Sequence, residues 1–146
     1  MKRIIMACLL IPGSLFASAG GEFSYLESAP SMQEIRMNIV ENKYTEAIPL
    51  LKKYLGRNPG SAEAYNYLGY SYRKTGHLPE AFKAYEKALA LNPKHLSAHE
   101  YLGEAYLMNN EPEKARAVLA QLWGICRNCE EFRDLAKAIK EARNEN

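Results

Sequence analysis

The feature that most constrains this chain is a period of 34 residues in its small and helix-breaking positions. Ala47, Ala81 and Ala115 stand one period apart, as do Pro59 and Pro93. Leu68 returns as Leu102, Gly69 as Gly103, Tyr72 as Tyr106, and Leu51 as Tyr85 and then Leu119. A repeat of this length is a single supersecondary unit whose apolar face is buried only by stacking on its neighbours. Within the unit, Tyr65, Leu68, Gly69 and Tyr72 fall at i, i+3, i+4 and i+7, which is one face of a helix. Gly69 and Ala81 are small enough to let two antiparallel helices approach closely. Gly76 and Pro79 break the chain between them, and Asn92-Pro93 ends the second helix. The spacing predicts an all-α chain of stacked helix pairs.

The stretch from Ala62 to Pro93, AEAYNYLGYSYRKTGHLPEAFKAYEKALALNP, resembles the tetratricopeptide repeat (TPR) family. Tyr65, Leu68, Gly69 and Tyr72 stand at its W-x2-L-G-x2-Y element with Tyr for Trp. Ala81 and Tyr85 stand at its A-x3-F element with Tyr for Phe, and Pro93 closes the unit. The resemblance runs from about Ser31 to Cys126 and is strongest in the middle repeat. Repeat three departs from the pattern at His99, Leu119, Leu122 and Arg127, where Trp or Tyr, an aromatic, Ala and the closing Pro are usual. What the resemblance implies is a TPR solenoid of three antiparallel helix pairs, over about 31–59, 62–93 and 96–127, with a capping helix and tail over 128–146. A plain three-helix bundle is the alternative, and the number of coincident positions disfavours it.

Local signals place the ends of the elements. Ser31 and Glu34 have the spacing of a capping box, so a helix is expected from Met32 with Ile35, Ile39 and Val40 as its apolar stripe. Asn42-Lys43 turns the chain into a second helix over Tyr44 to Leu55, with Pro49 expected to bend it and Gly56 and Pro59 to end it. Repeat three begins near Leu96 and turns at Asn109-Asn110 and Pro112. In the last segment, EEFRDLAKAIKEAR, a narrow stripe of Phe132, Leu135, Ala136 and Ile139 opposes a charged face, as suits a helix that covers the open end of a solenoid.

The first 19 residues read as a secretory leader: Lys2 and Arg3, an apolar run from Ile4 to Phe16, and Ala17-Ser18-Ala19 as the cleavage site. The apolar run is too short to span a bilayer, so no membrane insertion is expected. Cleavage after Ala19 leaves a lead-in over 20–30, extended or disordered, and places the protein outside the cytoplasm, in a bacterial periplasm. Removing the leader also takes Lys2 and Arg3 from a chain with 19 basic and 17 acidic residues. The remainder is formally neutral, which argues against nucleic acid as a partner.

The motif Cys126-Arg127-Asn128-Cys129 carries the most suggestive chemistry. A c-type haem site needs His next, and Glu130 stands there. A zinc site needs further ligands; His77, His95 and His99 are distant in sequence, and His95 with His99 reads as a turn and a packing position, so no metal is expected. A thiol oxidoreductase of the thioredoxin kind would want a strand before the motif. An oxidised pair clipping the last repeat to the capping helix is the preferred reading, with a reversible redox accessory as the alternative. ICRNCEEFRDLAKAI also resembles the tails of small secreted bacterial TPR proteins with a C-x-x-C before the final helix. No G-x-S-x-G, phosphate loop or H-E-x-x-H occurs, so neither an enzymatic centre nor a cofactor is expected.

Function then falls to the groove that the resemblance implies. TPR solenoids line their concave face with the first helix of each pair and bind peptides or helices there. The positions carried over are Glu63, Asn66, Tyr70 and Arg73 in repeat two and Ser97, Glu100, Glu104 and Leu107 in repeat three. Repeat one supplies Met32, Arg36 and Ile39. Arg36 and Arg73 facing Glu100 and Glu104 make a mixed-sign groove, unlike the basic clamp that chaperone-binding TPR domains use for a C-terminal carboxylate. The expectation is a non-enzymatic adaptor for a protein or peptide partner, with self-association of the solenoid as a further alternative. The tyrosines are expected to be mostly repeat core.

Overall fold

A computed structural model describes residues 29–144; the expected leader, most of the lead-in and the last two residues lie outside the described residues. Seven helices follow in order: α1 (Met32–Val40), α2 (Tyr44–Arg57), α3 (Ala62–Lys74), α4 (Leu78–Leu91), α5 (Leu96–Met108), α6 (Pro112–Cys126) and α7 (Glu130–Asn144). The described residues contain no strand. The fold is the TPR solenoid that the 34-residue period implies.

The ends of the helices repeat with the sequence. Ser31 Oγ accepts the Glu34 N–H at 3.1 Å, Ser61 Oγ the Ala64 N–H at 3.2 Å, and His95 Nδ1 the Ala98 N–H at 3.3 Å. Each satisfies one of the free donors in the first turn of α1, α3 or α5. Those helices end alike. Asn42, Gly76 and Asn110, one period apart, take φ values of 58°, 81° and 59°. That left-handed residue lets the next N–H reach back five residues: Lys43 to Asn38 O at 2.8 Å, His77 to Tyr72 O at 2.9 Å and Glu111 to Tyr106 O at 2.8 Å. Asn replaces Gly in two of the three turns because its short polar side chain tolerates this backbone region. The first repeat is clipped: α1 has 9 residues where α3 and α5 have 13. α2 also runs through Gly56 to Arg57, where the Asn58 N–H bonds Tyr54 O at 2.9 Å, so the stop comes two residues after Leu55.

Packing follows the same rhythm. The inner helices α1, α3, α5 and α7 touch in succession, and each outer helix, α2, α4 and α6, wedges against the two inner helices flanking it. The outer helices do not touch one another among the described residues. The layer therefore curves with its inner helices on the concave side. Two apolar clusters fill it, one around Ile35, Leu51 and Leu68, the other around Tyr85, Leu102, Leu122 and Leu135, and Tyr72 packs against both.

Two glycines mark the closest approaches. A Cβ built on Gly69 would lie 2.6 Å from the Tyr85 ring, and one on Gly103 would lie 2.5 Å from Leu135. In repeat two the residue over the glycine comes from the partner helix of the same repeat. In repeat three it comes from α7, so the capping helix completes the last repeat rather than merely shielding it. α6 ends at Cys126, Arg127 turns the chain at φ 62°, and a disulfide joins Cys126 to Cys129 immediately before α7. Glu130 and Glu131 then occupy the first turn of α7, where the helix dipole favours acids.

Candidate functional site

Helical spacing lines up the concave positions of the inner helices. On α3 they are Glu63, Tyr70 and Arg73; on α5, Glu100 and Glu104; on α7, Glu131, Asp134, Ala138 and Glu141. Arg73, Glu104, Met108, Ala138 and Glu141 line a cleft of about 370 Å³ where α3, α5 and α7 meet.

Arg73 organises the centre. Its Nη2 lies 2.7 Å from Glu104 Oε2, and its guanidinium sits over the rings of Tyr70 and Tyr101 at 5.3 and 5.4 Å from their centroids. Those rings are themselves 4.9 Å apart, and Tyr44 meets the far edge of Tyr70 at 5.6 Å, so three tyrosines run as a row from α2 across α3 to α5. A guanidinium between two aromatic faces and a carboxylate is held by cation–π attraction and a charge-assisted hydrogen bond together. Burial pushes the Tyr70 hydroxyl up to about 12, and burial with Glu100 and Glu104 does the same for Tyr101. Both phenols stay neutral over the physiological range.

Glu100 is the unusual carboxylate. Half-burial first, then the charges of Glu104, Asp134 and Glu131, push it up to about 7, against the pull of Arg73. At the other end of α3, Glu63 accepts from His95 Nε2 at 3.1 Å. That bond, with smaller help from Tyr67 and Arg36 against burial, holds its carboxyl below the usual range.

The residues expected in the groove therefore divide. Tyr70, Arg73, Glu100 and Glu104 come together. Arg36 does not join them; its field falls on Glu63 and Tyr67, so Arg73 alone of the two arginines meets Glu100 and Glu104. Asn66 corrects the expectation: it is 2 % exposed, because α3 is flanked by α1, α2, α4 and α5, and its Oδ1 is buried without a partner. Tyr101, Tyr44 and the acidic face of α7 escape a reading by repeat position alone. One signal does point to the first, since Tyr67 and Tyr101 stand one period apart at half-buried positions beside the groove. Cys126 and Cys129 lie away from this cleft, at the α6–α7 junction.

Among the described residues no cluster of three potential ligands could hold a metal ion, and no helix is long and apolar enough to cross a membrane. His95 caps α5. His99, 6 % exposed, donates from Nε2 to the Pro93 carbonyl at 2.9 Å.

Curved helix pairs with a lined concave face define a repeat solenoid. Two sequence models of tetratricopeptide repeats match residues 72–139 and 40–93, and the chain belongs to the TPR family. Compared with curated protein sequences, the chain finds no significant match. Among solved structures it is similar to the first TPR domain of Spaghetti (RPAP3) bound to the HSP90 peptide SRMEEVD. That match has 20 % identity and a TM-score of 0.69, covering 77 % of this chain and 89 % of that one. It is similar also to the TPR2B domain of yeast Sti1 in a pHsp70 complex, with 18 % identity and a TM-score of 0.70, covering 78 % and 94 %. A third is MamA from Desulfovibrio magneticus RS-1, residue 41 to the end, with 22 % identity and a TM-score of 0.63, covering 67 % and 55 %.

Proposed function

We propose that this protein is a non-enzymatic adaptor, exported by its leader to the periplasm, that holds an extended or helical segment of a partner protein in its concave groove. The observation that carries the reading is the half-buried row of Tyr44, Tyr70 and Tyr101, with Arg73 over the last two and also lining the cleft where α3, α5 and α7 meet. Tyr and Arg are the residue types that concentrate binding energy in protein interfaces, because they present large contact area with a polar end. The domains of RPAP3 and Sti1 that share this fold are complexed with peptide or chaperone partners, which supports the same use of the curved face here.

The test is site-specific photo-crosslinking in living cells. Benzoylphenylalanine in place of Tyr70 is expected to give a discrete adduct with a partner, and the same group in place of Lys87, exposed on outer helix α4, is expected to give none. Adducts from Lys87 alone, or no difference between the two, would refute a groove-binding adaptor.

A further inference from the structure

We infer that the end of the groove between α5 and α7 receives a lysine- or arginine-bearing segment of the partner protein, an inference that rests on the adaptor reading above. The charge count at that end is one-sided. Glu100 and Glu104 on α5 and Glu131, Asp134 and Glu141 on α7 gather there against two cations, Arg73 of α3 and Lys137 of α7. Both cations are already engaged, Arg73 by Glu104 at 2.7 Å and Lys137 by Glu141 at 3.9 Å. Among the described residues Glu100, Glu131 and Asp134 form no ion pair, and the charges of Glu131 and Asp134 raise the cost of ionising Glu100. Like charges gathered at one rim and left unneutralised complement an opposite charge brought from outside.

The groove also displays the chemistry it would use. Arg73 shows how a guanidinium is held there, against the faces of Tyr70 and Tyr101 with a carboxylate at its edge. Next to Tyr101 on α5 stands Glu100, a second carboxylate beside that ring, and it forms no ion pair of its own. One buried acceptor points the same way. The Tyr85 hydroxyl, on a residue 0 % exposed, lies beside Arg73, Glu104 and Tyr101 and has no hydrogen-bond partner within normal geometry. A Lys or Arg head group has three or five N–H donors and no acceptor, so it suits a site rich in unpaired acceptors. An acidic peptide such as SRMEEVD, bound by the RPAP3 domain, would meet five carboxylates here. Ionisation of Glu100 near neutrality supports the assignment, since a cation binds the ionised form: raising pH from 6 to 8 is expected to tighten binding by up to about tenfold.

Random 12-residue peptides displayed against the protein provide the test, with binding of the selected peptides measured by fluorescence anisotropy. Enrichment of Lys or Arg is expected, with affinity lost on Tyr70→Ala. Glu100→Gln combined with Asp134→Asn is expected to weaken those peptides about tenfold, a change of shape-preserving kind at a charge-assisted contact. Glu86→Gln, on the outer helix α4, is expected to leave them unchanged, and SRMEEVD to bind no better than a scrambled control. Selected peptides that need Tyr70 yet carry no excess of Lys or Arg, or that ignore the double substitution, would overturn the cationic partner and leave the adaptor standing. Selected peptides that are all indifferent to Tyr70→Ala would remove the groove reading itself.

Discussion

Glu100→Gln measures directly what the acidic rim costs the folded protein. In the unfolded chain this carboxyl titrates near 4.5, and in the folded groove at about 7, because of half-burial and the charges of Glu104, Asp134 and Glu131. Below pH 4.5 it is neutral in both states and costs nothing. Between 4.5 and 7 the folded state binds the extra proton, so stability falls as pH rises; above 7 the penalty is complete. The full shift sets a ceiling of about 3 kcal/mol. The side chain is only partly buried, so solvent screens the charges, which brings the expected cost to about 1 kcal/mol. Gln keeps the shape and removes the charge. The variant should match the parent in urea unfolding at pH 4 and exceed it at pH 8 by about 1 kcal/mol, near 4 °C in Tm. A substitution that stabilises the fold while weakening partner binding is the pattern of a residue kept for function. A difference that is the same at both pH values, or a less stable variant at pH 8, would refute the reasoning.

Three further outcomes follow from the packing. Leu135→Ala removes a side chain that is 0 % exposed and seated over Gly103, so urea unfolding should show a loss of about 2–5 kcal/mol, and a loss below 1 kcal/mol would deny α7 its place in the core. Gly69→Ala gains about 1 kcal/mol of helix propensity but drives a methyl to 2.6 Å from the fully buried Tyr85 ring; net destabilisation by thermal melting is the expected sign. Replacing Cys126 and Cys129 together by Ser opens a four-residue loop and should cost about 2 kcal/mol while leaving peptide affinity within a factor of two. Loss of peptide binding in that variant, at a temperature where it remains folded, would move the cysteine pair from clip to functional element.

Much of this fold is written locally, and what is not is tertiary. The period in Gly69 and Gly103 and the turns at Asn42, Gly76 and Asn110 depend on steric limits within a few residues, so the helix pairs are legible in the amino-acid sequence alone. The residue that lies over Gly103 is not. By repeat logic it is Leu119, but Leu135 takes the place because α7 packs on both α5 and α6. The same holds for the site. Tyr70, Arg73, Glu100 and Glu104 lie on helix faces that spacing reveals, whereas Asn66 differs from them only in how deeply neighbouring helices cover it. The acidic stripe of α7 is visible as a charged face, but nothing local says that this face turns toward Glu100 rather than to open solvent. Which way a capping helix rolls is decided by where Phe132, Leu135 and Ile139 find their cluster.

The measurement that bears most directly on the account is amide chemical-shift mapping of the protein with a Lys- or Arg-containing peptide taken from the display selection. Shifts concentrated on α3, α5 and α7, at Tyr70, Arg73, Glu100, Tyr101, Glu104 and Asp134, are the predicted result. Shifts gathered instead on the outer side, around Pro93 and Gly124 between α4 and α6, would contradict it.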